Sequence, residues 1–305
     1  MKKNFNTIIV TFIVAALFLT GCGSTAQSGE RTFKVLASTT FLADIAQNIA
    51  GDRIHVDALL PTGADPHAYQ AAPSDVSRIA ESNVLILNGI EYEHFIEPLL
   101  ENADGERLII TATEGLTPNE MESEETPGEM VGDPHMWLDV NRVITYVENI
   151  RDGLSEADPD GAETYKVNAE AYIAKLKGLD MWILQEVETI PAERRLLVTN
   201  HEAMGYFAQR YGFTVTDSIL PSFSSEASVS AQEVAASIDT IMDSGAPAIF
   251  LGEVENTNLA DQIASETGVK VVNTLYLESL TEGAPAPTYI DMMRYNVTEI
   301  VNALQ

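Results

Sequence analysis

Short β-branched runs and longer amphipathic runs alternate along most of the chain. Runs rich in Val, Ile, Leu and Thr lie near Phe33–Ser38, His55–Leu60, Val84–Asn88 and Arg107–Thr111. A second set lies near Arg195–Thr199, Thr214–Ile219, Ala248–Gly252 and Val269–Leu275. Such runs predict strands. Between them, apolar residues recur at helical spacing in Phe41–Ile49, Ser74–Glu81, Tyr92–Leu100, Asn141–Leu154, Glu202–Tyr211, Ser230–Asp243 and Asn258–Glu266. Strands alternating with helices argue for parallel sheets. Four predicted strands in each half argue for two α/β lobes.

The stretch from Pro159 to Ile190 breaks this alternation. Tyr165, Ala169, Tyr172, Leu176, Leu179, Ile183 and Val187 fall at spacings of three or four, one apolar stripe on a long helix. Pro159 and Pro191 bracket it. Roughly 30 residues of helix reach about 45 Å. A helix of that length between two lobes works as a stiff strut, so the boundary of the lobes is placed within it. The expected organisation is 1–21 leader, 22–31 tether, 32–158 first lobe, 159–190 linking helix and 191–305 second lobe.

The first 22 residues set the compartment. Lys2 and Lys3 precede an apolar run from Ile8 to Leu19, followed by Leu19-Thr20-Gly21-Cys22. That order is the order of a secretory signal. The run is about a dozen residues, short of the roughly 20 that a spanning helix needs. Leu-x-Gly-Cys resembles the bacterial lipobox, whose Cys becomes the lipidated first residue of the mature chain. Cys22 is the only Cys, so it forms no internal disulfide. Gly23 to Gly29 is small and polar and reads as a flexible tether. The expected location is therefore extracytoplasmic, at the cell membrane, on a lipid anchor at Cys22.

Charge narrows the partners. The formal net charge is −29, and losing Lys2 and Lys3 with the leader takes it to −31. Nucleic acid is excluded as a partner, because phosphate contacts need Lys and Arg. Anionic headgroups repel such a surface, so the anchor must hold it at the membrane. Like charge also favours a monomer. Between Glu114 and Asp133 lie seven acidic residues and no basic ones, punctuated by Pro and Gly, which reads as a mobile, solvated surface loop.

The chain has only five histidines: His55, His67, His94, His135 and His201. Two occur in the same tripeptide, Asp65-Pro66-His67 and Asp133-Pro134-His135. Pro fixes φ and biases the preceding residue towards extended backbone, so the tripeptide is a rigid corner that aims an imidazole. A nearby carboxylate can fix the tautomer of a ligating His; which carboxylate does so is open. His201 directly follows a predicted strand, at the start of a predicted helix, and Glu278 directly follows the last strand. His67 also lies beyond the carboxyl end of a strand, and the His135 loop can reach the same edge. In open α/β sheets ligands bind at that edge. Three imidazoles and one carboxylate suit tetrahedral Zn²⁺. A bidentate carboxylate extends the shell towards what Mn²⁺ prefers, while three nitrogens tilt the choice to Zn²⁺. Four protein ligands leave no open position for catalysis, which favours carriage over hydrolysis. Unperturbed imidazoles titrate near pH ~6.5, so metal affinity is expected to fall below about that pH. His55 within a strand and His94 at a helix start have no companions and read as ordinary polar residues.

At these residues the chain resembles the metal-specific solute-binding lipoproteins of bacterial ABC importers, the cluster A-I or zinc/manganese periplasmic-binding family. Asp65-Pro66-His67-Ala68-Tyr69 with Pro73-Ser74-Asp75 resembles the first ligand motif. Asp133-Pro134-His135-Met136-Trp137-Leu138-Asp139 with Asn141 resembles the second. Asn200-His201-Glu202-Ala203 through Tyr206 and Tyr211-Gly212 resembles the third, and Glu278-Ser279-Leu280 with Tyr289 and Met292 to Asn296 the fourth. The resemblance covers essentially the whole mature chain. It implies α/β architecture: two Rossmann-like (β/α)4 lobes with parallel sheets, joined by one long rigid helix. It implies an ion held between the lobes by His67, His135, His201 and Glu278 and handed to a membrane permease. The fourth position is often Asp in the family; here Glu278 is one methylene longer. His at the third position resembles zinc and dual zinc/manganese carriers, so His201 favours Zn²⁺. Zinc carriers often have a His-rich loop before the second motif, and here that loop is acidic without His, which keeps Mn²⁺ a close second.

Two other classes compete. A surface adhesin or scaffold with a structural metal site is permitted by the anchor, but no repeats or adhesive tracts accompany it. A secreted metallohydrolase is disfavoured: His201-Glu202 opens like a zincin motif, yet Gly205 stands where the second His belongs. No Gly-x-Ser-x-Gly elbow is present. The chain is not expected to be an enzyme.

Overall fold

The computed structural model describes residues 33–122 and 128–305; the leader, Cys22 and the tether lie outside the described residues. The first lobe runs β1 (Val35–Ala37), α1 (Thr40–Ala50), β2 (Val56–Ala58), α2 (Pro73–Glu81), β3 (Val84–Leu87), α3 (Ile96–Asn102) and β4 (Leu108–Thr111). Its strands form one parallel sheet in the order β2-β1-β3-β4. A short hairpin of β5 (Glu120–Glu122) and β6 (Met130–Gly132) follows, then α4 (Val140–Ala157) and the long α5 (Ala162–Glu188). The second lobe runs β7 (Leu196–Thr199), α6 (Gly205–Tyr211), β8 (Thr214–Ser218), α7 (Ala231–Ser244), β9 (Ala248–Gly252), α8 (Asn258–Thr267), β10 (Lys270–Leu275) and α9 (Tyr289–Leu304). Its four strands are parallel in the order β10-β9-β7-β8. The α/β class and the paired parallel sheets match the sequence reading.

The helix α5 buries the seven stripe residues, from Tyr165 to Val187, that the periodicity singles out. At 27 residues it spans about 40 Å. It packs against α1 and α4 of the first lobe and α9 of the second. One continuous apolar core results, running from Phe41, Ile45 and Ile49 of α1 through Tyr172 and Leu176 of α5 to Met292 and Ile300 of α9. Burial on this scale stabilises each large side chain by about 1.5–3 kcal/mol. No described helix is long and apolar enough to cross a membrane.

Contacts between the lobes are numerous close to the strand ends. Trp137, stacked on Phe41 of its own lobe with centroids 4.6 Å apart, donates its indole N–H to Leu277 O of the other at 2.9 Å. Tyr289 donates its hydroxyl to Trp137 O at 2.6 Å. Gly63 N donates to Ser279 Oγ and Leu280 N to Thr40 Oγ1, each at 2.8 Å. Thus the residues on either side of Glu278 are bonded to the first lobe although they belong to the second.

Four features differ from the sequence reading. The sequence predicts a mobile loop for the acidic stretch, but its described ends pair as the β5–β6 hairpin, with Met121 opposite Val131. Helix α6 begins at Gly205, not Glu202, because Glu202 N donates to Ser222 O instead of entering a helix. Helix α3 begins at Ile96, not Tyr92, because Tyr92 and Glu93 turn inward towards the strand ends. The C-terminal α9 is a helix beyond those predicted from sequence, capped by Thr288, which accepts from Asp291 N at 3.1 Å.

Candidate metal centre

Each candidate donor sits beyond the carboxyl end of a strand or in a loop reaching that edge. His67 lies between β2 and α2, in a turn where Asp65 Oδ1 accepts from the His67 backbone N–H at 2.9 Å. The entry to α2 is fixed by Asp75, whose Oδ2 accepts from Ala72 N and from the Tyr69 hydroxyl, both at 2.8 Å. His135 follows the hairpin and precedes a short 3₁₀ turn, Met136–Leu138, that leads into α4. Asp139 caps α4 by accepting from Asn141 N at 2.9 Å. Asn88, at the end of β3, donates to Pro134 O at 3.0 Å and so fixes the His135 loop. His201 follows β7, in a turn rather than in the helix expected there. Glu278 follows β10.

These four residues are brought together. One ligating atom from each of His67, His135, His201 and Glu278 lies within 4.8 Å of the others. Glu278 Oε1 stands 3.5 Å from His135 Nε2, 3.8 Å from His201 Nε2 and 4.0 Å from His67 Nε2. His201 Nε2 stands 3.3 Å from His135 Nε2. A tetrahedron with metal–ligand bonds of roughly 2.0–2.2 Å has edges of about 3.3–3.6 Å, so the cluster is close to a coordination shell. All four side chains are essentially buried. His67 Nε2 and Glu278 Oε1 are buried with no hydrogen-bond partner among the described residues. A buried polar atom without a partner costs about 1–3 kcal/mol, so two converging on one point mark a site built for a ligand.

A second ring of polar groups orients the donors. Asp133 Oδ1 accepts from the His135 backbone N–H and faces His135 Nδ1, both at 2.9 Å, which leaves Nε2 to the centre. Glu255, just after β9, places Oε1 at 2.7 Å from His201 Nδ1, close but not aligned as a hydrogen bond. Its other oxygen accepts from Gly252 N at 2.5 Å. The Tyr92 hydroxyl donates to Glu278 Oε2. Tyr92 is held by an unusual loop: Ile90 and Glu91 take left-handed φ of 55° and 56°, at a cost of about 1–3 kcal/mol each. Glu93 restrains that loop, accepting from Asn88 N, Gly89 N and Ser38 Oγ. Tyr92 and Glu255 were not identified from sequence. The strand-end Gly252-Glu253-Val254-Glu255, at the same edge as the histidines, was the available signal for Glu255. Tyr92 carried none.

Electrostatics differ sharply among the donors. Burial pushes the His67 imidazole down to about 3, beyond what Glu278 offsets. Burial also pulls on His135, but Asp133 and Glu278 outweigh it and hold it up at about 9. Burial alone raises a carboxyl, yet for Glu278 His135 and the neighbouring imidazoles win, and it is held down at about 2. His55 is exposed beside Asp57 and away from the centre. His94 lies in the turn before α3, on the wall of a cavity that His67 also lines.

Two lobes with candidate metal donors at the seam define a substrate-binding protein. The comparisons specify the kind. Residues 35–303 match the family described as zinc-uptake complex component A, periplasmic (ZnuA). The chain is 36% identical over 309 residues to the manganese-binding lipoprotein MntA of Halalkalibacterium halodurans, covering 100% of this chain and 99% of that protein. It is 36% identical over 298 residues to the iron-binding protein YfeA of Yersinia pestis, covering 97% of this chain and 92% of that protein. Among solved structures, the periplasmic zinc-binding protein TroA of Treponema pallidum superposes with a TM-score of 0.81 at 27% identity, over 90% of this chain and 99% of that one. The chain belongs to this family of metal-binding substrate-binding proteins of ABC importers, and it is a transport protein rather than an enzyme.

Proposed function

We propose that His67, His135, His201 and Glu278 together hold one divalent transition-metal ion per chain as cargo. The observation that carries this reading is the convergence of four buried donor atoms within 4.8 Å, two of them without any other partner. Zn²⁺ is the tighter-bound ion and Mn²⁺ the close second. Nitrogen-rich sites rank Zn²⁺ above Mn²⁺, while Glu278, with a second oxygen, suits the larger shell of Mn²⁺. The lobes are 32–158 and 191–305, with 159–190 as the linking helix. The chain works as a monomer outside the cytoplasmic membrane, anchored by a lipid on Cys22, and delivers its ion to an ABC permease.

Metal analysis of the domain from Gly23, purified without chelator, tests the reading. About one Zn²⁺ or Mn²⁺ per chain is expected, with Zn²⁺ displacing Mn²⁺ in competition and His67→Ala abolishing retention. No retained ion and no uptake on titration would remove the proposal.

A further inference from the structure

Resting on that ligand set, we propose that residues 221–229 form the gate through which the ion enters and leaves, and that Ser225 is its latch on Asp65. The Ser225 hydroxyl donates to Asp65 Oδ2 at 2.7 Å, across 160 residues of sequence and between the lobes. The same carboxylate accepts from the His67 backbone N–H through Oδ1. One side chain therefore joins the gate to the turn that positions a ligand.

The other hydrogen bonds of the segment tie it to its own lobe. Glu202 N donates to Ser222 O, and just before the segment Leu220 N donates to Asn200 O, on either side of His201. Ser224 N donates to Ser222 Oγ and Glu226 N to Ser224 Oγ, within the segment. The broad interface between the lobes lies elsewhere: Trp137 with Leu277, Ser279 with Gly63, Thr40 with Leu280, and Tyr206 with Asp133. Among the described residues, Ser225–Asp65 is the one hydrogen bond by which 221–229 reaches the first lobe. Breaking it frees the gate without undoing the lobe interface.

The gate covers a passage. Pro221, Phe223 and Glu226 form one wall of a cavity of about 670 Å³ that is also lined by His67 and His94. A water occupies about 30 Å³, so a cation with six waters fits. Glu91, Glu122, Glu129 and Glu226 line the same cavity. Carboxylates around a concave entrance raise the local cation concentration. The buried, partnerless His67 Nε2 is where such an ion first meets a donor. The hydrated ion enters with the gate open and exchanges water for His67 and then the other donors. The re-formed Ser225–Asp65 bond closes the gate behind it.

The latch is a positioning contact, so its loss shows in rates. Co²⁺ serves as the probe, because its absorption spectrum reports the ligand set and its decay under excess EDTA reports release. In Ser225→Ala, release is expected about tenfold faster, the scale of one hydrogen bond to a charged group, with the Co²⁺ spectrum unchanged. Ser225→Thr keeps the hydroxyl and is expected to release slowly. Ser265→Ala removes a hydroxyl that bonds only within α8, to Gln262 O, away from the gate, and is expected to leave release unchanged. Release from Ser225→Ala at the unaltered rate would overturn the latch, as would equal acceleration in Ser265→Ala. Absence of a bound ion in the unaltered chain would overturn the ligand set, and the latch with it.

Discussion

The tripeptide Asp-Pro-His occurs twice, and the two copies are used differently. At 133–135 the Asp side chain turns onto its own His. Asp133 Oδ1 meets both the backbone N–H and Nδ1 of His135. The peptide carbonyls on either side are also occupied, Asp133 O by the Tyr206 hydroxyl and Pro134 O by Asn88. At 65–67 the Asp accepts from the backbone N–H of His67, not its ring, and its other oxygen accepts from the Ser225 hydroxyl of the opposite lobe. Against the pull of burial, Asp133 and Glu278 hold His135 high, at about 9, whereas burial itself pushes His67 low, to about 3. One tripeptide turns its carboxylate onto its own imidazole in one place and across to the opposite lobe in the other. The lesson is that a motif sets the corner, while neighbours decide its job.

The largest expected effects come from removing the rings themselves. His135→Ala and His67→Ala should each lower Zn²⁺ affinity by more than about a hundredfold, beyond the 10- to 100-fold typical of outer partners. Competition titration against a chromophoric chelator measures this, and circular dichroism checks that the fold is kept. His135→Ala should be the worse, because it also leaves Asp133 and the centre-facing Glu278 oxygen buried without it.

The supporting carboxylates sharpen the comparison. Asp133→Asn removes the charge facing a ligating ring and should cost about 10- to 100-fold in equilibrium affinity. Asp65→Asn touches no ring and should cost less than about tenfold. Equal losses in the same titration would mean that the two tripeptides act alike after all.

Protons separate the two copies in a third way. A ligating imidazole must be neutral. His135 in the ion-free centre is held up at about 9, so at pH 7.5 it carries a proton that the ion must expel. Affinity should therefore rise with pH, about tenfold per unit, and level off only near pH 9. His67, pushed down to about 3, expels none over this range. Reasoning from an unperturbed imidazole put the fall below about pH 6.5; the Asp133 and Glu278 charges move it upwards. Calorimetry in buffers of different ionisation enthalpy should count about one proton released per Zn²⁺ at pH 7.5. A count of zero there would contradict the charged state assigned to His135.

How much of this was legible depended on whether a feature was local. Strands such as Ala248–Gly252 announce themselves by β-branched and aromatic runs that fit a buried parallel sheet. The stripe on α5 is legible because periodicity survives over 27 residues whatever packs against it. The strand-end histidines follow from the same reading, since topology places carboxyl ends at one edge. Features decided by distant partners were not legible. Helix α6 starts late because Ser222, twenty residues on, takes the Glu202 N–H. Tyr92 reaches Glu278 across 186 residues, and nothing in its local sequence points there. The carboxylate that orients each His was left open, and the answer differs between two identical tripeptides because Ser225 competes for one of them.

The prolines offer the smallest and most discriminating test. Replacing Pro by Ala enlarges the unfolded ensemble, which costs about 0.4–1 kcal/mol when the native backbone is kept. Pro66→Ala and Pro134→Ala should therefore lower thermal stability by similar, small amounts. Their effects on metal affinity should part. The backbone around Pro134 is pinned by Asn88 and Tyr206 from outside the tripeptide, so Ala there should leave Zn²⁺ affinity within about twofold. Among the described residues, the Asp65 and Pro66 carbonyls have no such outside restraint, and the turn depends on Asp65 and on the Gly63–Ser279 bond. Losing the ring there should let His67 wander and weaken binding by a few-fold, about the worth of one modest hydrogen bond. Differential melts together with Zn²⁺ titrations on the two variants read both quantities. If both prolines proved equally indifferent for the metal, rigidity at 65–67 would come from the lobe contacts rather than from the tripeptide.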